Sequence, residues 1–128
     1  MADARNRDSV STGIDAVPIK RIREASCNPR FMERVFTGRE VSYSLGRKDP
    51  SRHLSGRFAA KEALIKALGR GAGIGWKDIE VINGRDGRPE IKLYSEARKI
   101  LNGRKIFLSV AYSRGMALAL VAVDKSRP

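Results

Sequence analysis

The residues of this chain best placed to do chemistry are two carboxylates, Asp15 and Glu62, and two lysines, Lys61 and Lys66. Asp15 closes a short apolar segment. The other three lie within Gly56-Arg57-Phe58-Ala59-Ala60-Lys61-Glu62-Ala63-Leu64-Ile65-Lys66-Ala67-Leu68. Carboxylates held by two different elements, if they meet in space, make a site for a hard divalent cation. Magnesium prefers oxygen ligands and keeps several waters or phosphate oxygens, so two carboxylates suffice. Each residue also has a plainer role open to it. Glu62 and Lys66 at i,i+4 can form an intrahelical pair worth a few tenths of a kcal/mol, and Asp15 can serve a turn or the start of a helix. Neither accounts for Lys61.

The segment carrying three of these charges has the pattern of a buried helix. At about 100° per residue, Leu54, Phe58, Ile65 and Leu68 form one apolar stripe, and Ala59, Ala60, Ala63 and Ala67 form a small-residue face on the far side. A helix apolar on both faces is packed on both. Lys61 projects from the middle of the bulky stripe and Glu62 borders it. Desolvating an unpaired ion is expensive, so Lys61 needs a partner, a metal or a charged ligand.

The rest of the chain must position these groups within one domain. At 128 residues and 41% hydrophobic it has enough material for one core and too little for two. The expected domain spans 9–124, with tails at 1–8 and 125–128. No apolar run approaches the length of a bilayer span, and Met1 to Asp8 is polar rather than signal-like, which predicts a cytoplasmic protein without membrane attachment. The single cysteine, Cys27, excludes an intramolecular disulfide and a cysteine-rich zinc site. A net charge of +12 implies an anionic partner: nucleic acid, an acidic protein surface or a phosphorylated small molecule. The basic residues are spread along the chain and aromatics make up only 6%, which weighs against a DNA-binding arm or a base-stacking surface.

Alternation and breakers predict an α+β fold with a strand at each end. Ser9 to Asp15 reads as a strand in which Gly13 permits close backbone approach. A helix runs from Pro18 to about Ser26 and ends at Asn28-Pro29. A helical turn covers Phe31 to Val35. Thr37-Gly38-Arg39-Glu40 has the form of a capping box and starts a helix to about Leu45. The long helix starts at Ser51. Gly69 to Gly75 is glycine-rich, and the amides around Gly71 and Gly73 are suited either to cradling phosphate or to forming a plain connector. Ile79 to Asn83 and Pro89 to Tyr94 read as a hairpin, Ser95 to Leu101 as a short helix, and Lys105 to Ser113 with Met116 to Val123 as a second hairpin. The last strand is almost entirely apolar and is therefore central or covered.

Read in order, Gly13-Ile14-Asp15, Arg21-Ile22, Arg30-Phe31, Glu33-Arg34-Val35-Phe36-Thr37, Glu40, Gly56-Arg57-Phe58-Ala59-Ala60-Lys61-Glu62-Ala63, Lys66-Ala67 and Trp76-Lys77-Asp78-Ile79-Glu80 resemble the holo-acyl-carrier-protein synthases, the small bacterial phosphopantetheinyl transferases. The likeness runs from about Ser11 to Val123. It implies a single α+β domain whose largely antiparallel sheet packs on a long buried helix. It also implies transfer of 4′-phosphopantetheine from coenzyme A to a serine of apo acyl carrier protein, with release of 3′,5′-ADP, by a homotrimer with sites between neighbouring subunits. By that resemblance Asp15 and Glu62 hold Mg2+ against the diphosphate, and Lys66 stabilises the charge developing there. Arg57 and Lys61 bind coenzyme A or position the helix, with Gly71, Gly73 and Tyr112 also on the coenzyme A side. Arg21, Arg30, Phe31 and Arg34 grip the acidic helix of the carrier protein. The acceptor's base is either Glu62 or a metal-bound water.

One segment departs from the family pattern. Where Ser-His-Thr is expected in the next-to-last strand, this chain has Ala111-Tyr112-Ser113, so a hydroxyl and an imidazole are missing. Tyr112 donates a hydrogen bond but carries no positive charge near neutrality. His53 falls in the first turn of the long helix, away from the Glu62 end, and is set aside as a substitute for the acceptor's base. Two other classes stay open: a catalytically impaired paralogue acting as a carrier-protein-binding module, which would keep Arg21, Arg30 and Phe31, and a basic nucleic-acid-binding domain, which leaves the Asp15/Glu62 pair unexplained.

Overall fold

A computed structural model describes residues 10–69 and 73–125. In chain order the elements are strand β1 (Val10–Pro18), helices α1 (Ile19–Ala25), α2 (Pro29–Val35), α3 (Gly38–Leu45) and α4 (Pro50–Leu68), a 3-10 turn at Trp76–Asp78, strands β2 (Ile79–Asn83) and β3 (Pro89–Leu93), helix α5 (Ser95–Leu101), and strands β4 (Ile106–Ser113) and β5 (Met116–Asp124). The expected fold class holds. The expected 1–8 tail lies outside the described residues, as do Gly71 and the last three residues.

The apolar last strand is central, as its sequence predicts. β5 lies between β1 and β4, antiparallel to both, while β2 and β3 pair in a separate two-stranded sheet. Ala117, Ala119, Val121 and Val123 of β5 point into the core. The turn joining β4 to β5 has positive φ at both Arg114 and Gly115, a geometry whose twist suits a tight hairpin.

Against that inner face lies α4. Its small-residue side is the most deeply buried, with Ala59, Ala60 and Ala63 fully enclosed. Gly13 of β1 makes the close approach: a Cβ there would lie 1.9 Å from the Ala63 carbonyl oxygen. Ser11 Oγ also donates to the Ala67 carbonyl. α4 is capped at both ends, by Asp49, which accepts from the Arg52 amide, and by Gly69 in the left-handed conformation. Its bulkier side meets Phe31, Phe36 and Trp76: Phe58 stacks on Trp76 at 5.3 Å, and Phe31 packs against both Phe58 and Phe36.

Some boundaries differ from the sequence expectation. β1 continues past Asp15 to Pro18, because Val17 extends the inward alternation and an edge strand tolerates proline. Asp15 is therefore a mid-strand residue opposite Ala119, on the same side of the strand as Gly13 and Val17. α1 starts at Ile19 with Pro18 as its N-cap, and α2 starts at Pro29 rather than Phe31, since Asn28 caps it by accepting from the Arg30 amide. Asn28-Pro29 thus opens a helix as well as closing one. The capping box at Thr37 forms as expected, with its Glu40 buried.

Candidate active site

The inward alternation of β1 points Asp15 at α4, where Glu62 and Lys66 stand one turn apart. Lys66 Nζ donates to Asp15 Oδ1 at 3.2 Å and to the Ile14 carbonyl at 3.0 Å. Lys66 thus crosses to the strand, and the intrahelical pair with Glu62 does not form. Glu62 accepts no hydrogen bond among the described residues, and its carboxyl is raised above the usual glutamate value, first by burial and then by the negative charge of Asp15; Lys66 and Arg21 pull the other way. Two carboxylates held close enough to repel, with one lacking a donor, fit a divalent cation. Among the described residues no group of three or more His, Cys, Asp or Glu gathers into a metal cluster. The protein side of such a site is therefore two oxygen ligands, leaving room for waters or phosphate oxygens.

A second set of groups lies toward the N-terminal end of α4. Arg57, 5% exposed, donates to Asn83 Oδ1 at 2.8 Å and sits 4.3 Å above the Tyr43 ring. Its Nε is buried and has no hydrogen-bond partner among the described residues. With Tyr43, His53, Asn83 and Tyr112 it lines a cavity of about 170 Å³. The Tyr112 hydroxyl lies against Gly56, where a Cβ would stand only 2.2 Å from it. Burial raises the Tyr112 pKa, against the pull of Arg57 and Arg52, so the phenol remains a donor at neutral pH. Arg52 lies 4.3 Å above the Tyr112 ring.

Lys61 resolves differently from its expected role in binding coenzyme A. It is fully buried, and Nζ donates to the Val35 carbonyl at 2.6 Å, Glu40 Oε1 at 2.7 Å and the Trp76 carbonyl at 3.0 Å. An ammonium has three N–H donors, and all are used inside the protein. Of its two expected roles only support of the helix remains. Burial lowers its pKa, and Glu40 opposes that shift. Glu40 in turn accepts from the Thr37 and Val81 amides, tying α3, α4 and β2 together. Beside this pair Glu80 is also buried, accepting from Thr37 and Tyr94.

The remaining expected residues fall on two other surfaces. Gly73 has φ +84 with open space around it, a conformation that favours glycine. Arg21, Arg30 and Arg34 are exposed on α1 and α2, while Phe31 is half-buried in the aromatic chain against α4.

Residues 11–119 match the 4′-phosphopantetheinyl transferase superfamily. The holo-[acyl-carrier-protein] synthase of Geotalea daltonii is 40% identical over 121 residues, covering 89% of this chain and 97% of the relative. The chain belongs to this family. Its fold agrees with that of the Chronobacterium ammoniagenes ACPS–CoA complex, at TM-score 0.79 and 29% identity over 91% of this chain and 97% of that one. It also agrees with the Bacillus anthracis holo-(acyl-carrier-protein) synthase in complex with CoA (3′,5′-ADP), at TM-score 0.74 and 34% identity, covering 88% and 94%. As a phosphopantetheinyl transferase the chain is an enzyme, and α4 carries both Glu62, beside Asp15, and Arg57, whose buried Nε lacks a partner among the described residues.

Sequence reasoning missed several members of these sites. Tyr43 and Asn83 carried no signal of their own, because their role depends on how α3 and β2 pack on α4. Glu40 was visible only as a capping residue, although the need of Lys61 for a counter-ion was a direct pointer to a buried acid.

Proposed function

We propose that Asp15, Glu62 and Lys66 carry the transfer of 4′-phosphopantetheine from coenzyme A to a serine of apo acyl carrier protein, with release of 3′,5′-ADP. The observation that carries the assignment is Glu62: a carboxylate lacking a hydrogen bond among the described residues, beside a second carboxylate that is already held by Lys66. Asp15 and Glu62 would hold Mg2+, which supplies charge neutralisation and orientation at the diphosphate. Lys66, half-exposed and anchored on Ile14 and Asp15, keeps a cation beside the place where leaving-group charge develops. Arg57 and Tyr112 receive the nucleotide end of coenzyme A, and exposed Arg21, Arg30 and Arg34, beside Phe31, meet the acidic carrier protein. The enzyme works in the cytoplasm; no helix among the described residues is long and apolar enough to cross a membrane.

The working unit is a homotrimer with its sites between subunits. Two features support this. Arg57 and Lys66 are separated by roughly 13 Å along α4 and about half a turn around it, so the two polar sets face apart within one chain. The outer face of the three-stranded sheet also carries exposed Ile14, Phe107 and Leu120, with Ile14 directly opposite Leu120. Apolar side chains grouped in this way mark an interface.

Incubation with apo acyl carrier protein, coenzyme A and Mg2+, followed by mass measurement of the carrier, is expected to show one added phosphopantetheine. Carrier that binds but gains no mass would overturn the catalytic reading in favour of a binding module. Mixed trimers of Glu62→Gln and Arg57→Ala subunits are expected to regain part of the activity that each variant lacks alone, since some interfaces then join two intact halves. No recovery on mixing would place both halves of the site in one subunit.

A further inference from the structure

The Arg57 cavity contains a group that the transfer described above leaves without a role. His53 is the only histidine of the chain, and strand β4 has Tyr112 where the family pattern expects an imidazole. The fold brings these two departures into one place. His53 stands one helical turn before Arg57 on α4 and lines the same cavity as Tyr112. Its ring packs edge-on against Tyr43, with centroids 5.6 Å apart.

The charge around this cavity is lopsided. α4 contributes Arg52 and Arg57, and the loop before it contributes Arg47, which lies 4.3 Å above the Tyr43 ring. Asp49, the N-cap of α4, is the acid set against them in the field of His53. α3 and β4 add the phenol rings of Tyr43 and Tyr112. Such a hollow attracts an anion, and phosphate suits guanidinium and imidazole donors together.

We propose that His53 is a phosphate-recognition residue of this enzyme, supplying from α4 the imidazole that β4 lacks and favouring nucleotides that carry a phosphomonoester at this cavity. The proposal rests on the assignment of the Arg57 and Tyr112 cavity to the nucleotide end of coenzyme A. Burial holds His53 below the ordinary imidazole pKa, and Arg57, Arg47 and Arg52 add to the effect while Asp49 opposes it. The imidazole therefore enters the complex neutral. An incoming phosphate dianion offsets the guanidinium charge, so the ring takes a proton from solvent and donates an N–H to a phosphate oxygen. No covalent bond forms or breaks.

Because His53 is the only histidine, its ring protons can be followed by NMR in untagged protein without assignment. Saturation with 3′,5′-ADP is expected to raise its titration midpoint by about one unit, the scale of a tenfold change in affinity linked to one proton. The same protein with 5′-AMP, which lacks the 3′-phosphate, is expected to show a smaller rise or none. His53→Gln is expected to weaken 3′,5′-ADP binding about tenfold at pH 6 and to lose most of that difference by pH 8.5. Tight binding of 3′,5′-ADP with an unmoved His53 midpoint would overturn the role of His53 alone. A wild-type protein that bound no 3′,5′-ADP would overturn the underlying assignment of the cavity.

Discussion

Lys61 and Glu62 are consecutive residues of one helix, and the fold treats them in opposite ways. Lys61 is sealed in the core with all its donors satisfied by Val35, Glu40 and Trp76. Glu62, one position on, borders solvent, faces Asp15 and accepts no hydrogen bond among the described residues. A rotation of about 100° between neighbours separates a charge that holds the protein together from one left available for chemistry. A satisfied buried ion has no reason to bind anything further. An ion left beside a like charge has a standing reason to bind a cation. Degree of satisfaction, more than burial alone, therefore distinguishes supporting charges from working ones in this molecule.

The largest effect is expected where the satisfied charge is removed. Lys61→Ala leaves Glu40 as an uncompensated buried carboxylate and strips partners from two carbonyls, so it should cost about 3–5 kcal/mol of stability in a denaturant unfolding curve. Adding Glu40→Gln to Lys61→Met should return part of that loss, because the orphaned charge is gone and the one amide oxygen still accepts from either the Thr37 or the Val81 amide, which Glu40 holds on separate oxygens. A Lys61→Ala protein as stable as the parent would erase the distinction between the two residues.

Glu62→Gln should reverse the pattern. The substitution keeps the shape and removes the repulsion with Asp15, so the unfolding curve should be unchanged or moved slightly toward higher stability. Phosphopantetheine transfer should fall by about two to three orders of magnitude, the scale on which loss of one preorganised electrostatic group acts. Measured side by side, the two variants would break the comparison if Glu62→Gln cost stability and spared the rate.

The contrast was only half legible in the sequence, and the reason is the same at each position. Lys61 was recognisable as anomalous because helical periodicity alone puts it among Phe58 and Ile65, but its partner lay in α3, and periodicity says nothing about which helix packs where. Gly13 was readable as a close-approach residue from the absence of a side chain; that the neighbour would be α4 was not. Asp15 was assigned correctly to the first strand yet placed at its end, because proline at Pro18 looks like a stop until the strand is known to be an edge. His53 was set aside as the acceptor's base on its distance along the helix from Glu62; that it would line a cavity built across elements with Tyr43, Asn83 and Tyr112 came only from packing. Local chemistry, caps and alternation were in the sequence, and pairings between elements came from packing.

The smallest effect concerns pH, and it tests the same contrast without any mutation of Lys61. Since Glu62 has a raised carboxyl pKa in the fold, its protonated form is the one the folded state favours. The associated stability is present below the ordinary glutamate value and is lost as pH rises through the raised one. Stability of the parent relative to Glu62→Gln should therefore increase modestly as the solution is acidified. Activity must run the other way, because only the ionised carboxylate can hold a cation. The acidic limb of kcat/KM should lie above the ordinary glutamate value at limiting Mg2+ and move to lower pH as Mg2+ is raised, since metal and proton compete for the same oxygens. A limb that ignored Mg2+ would mean that the group titrating is not a ligand, and the lone carboxylate of α4 would then need a different purpose.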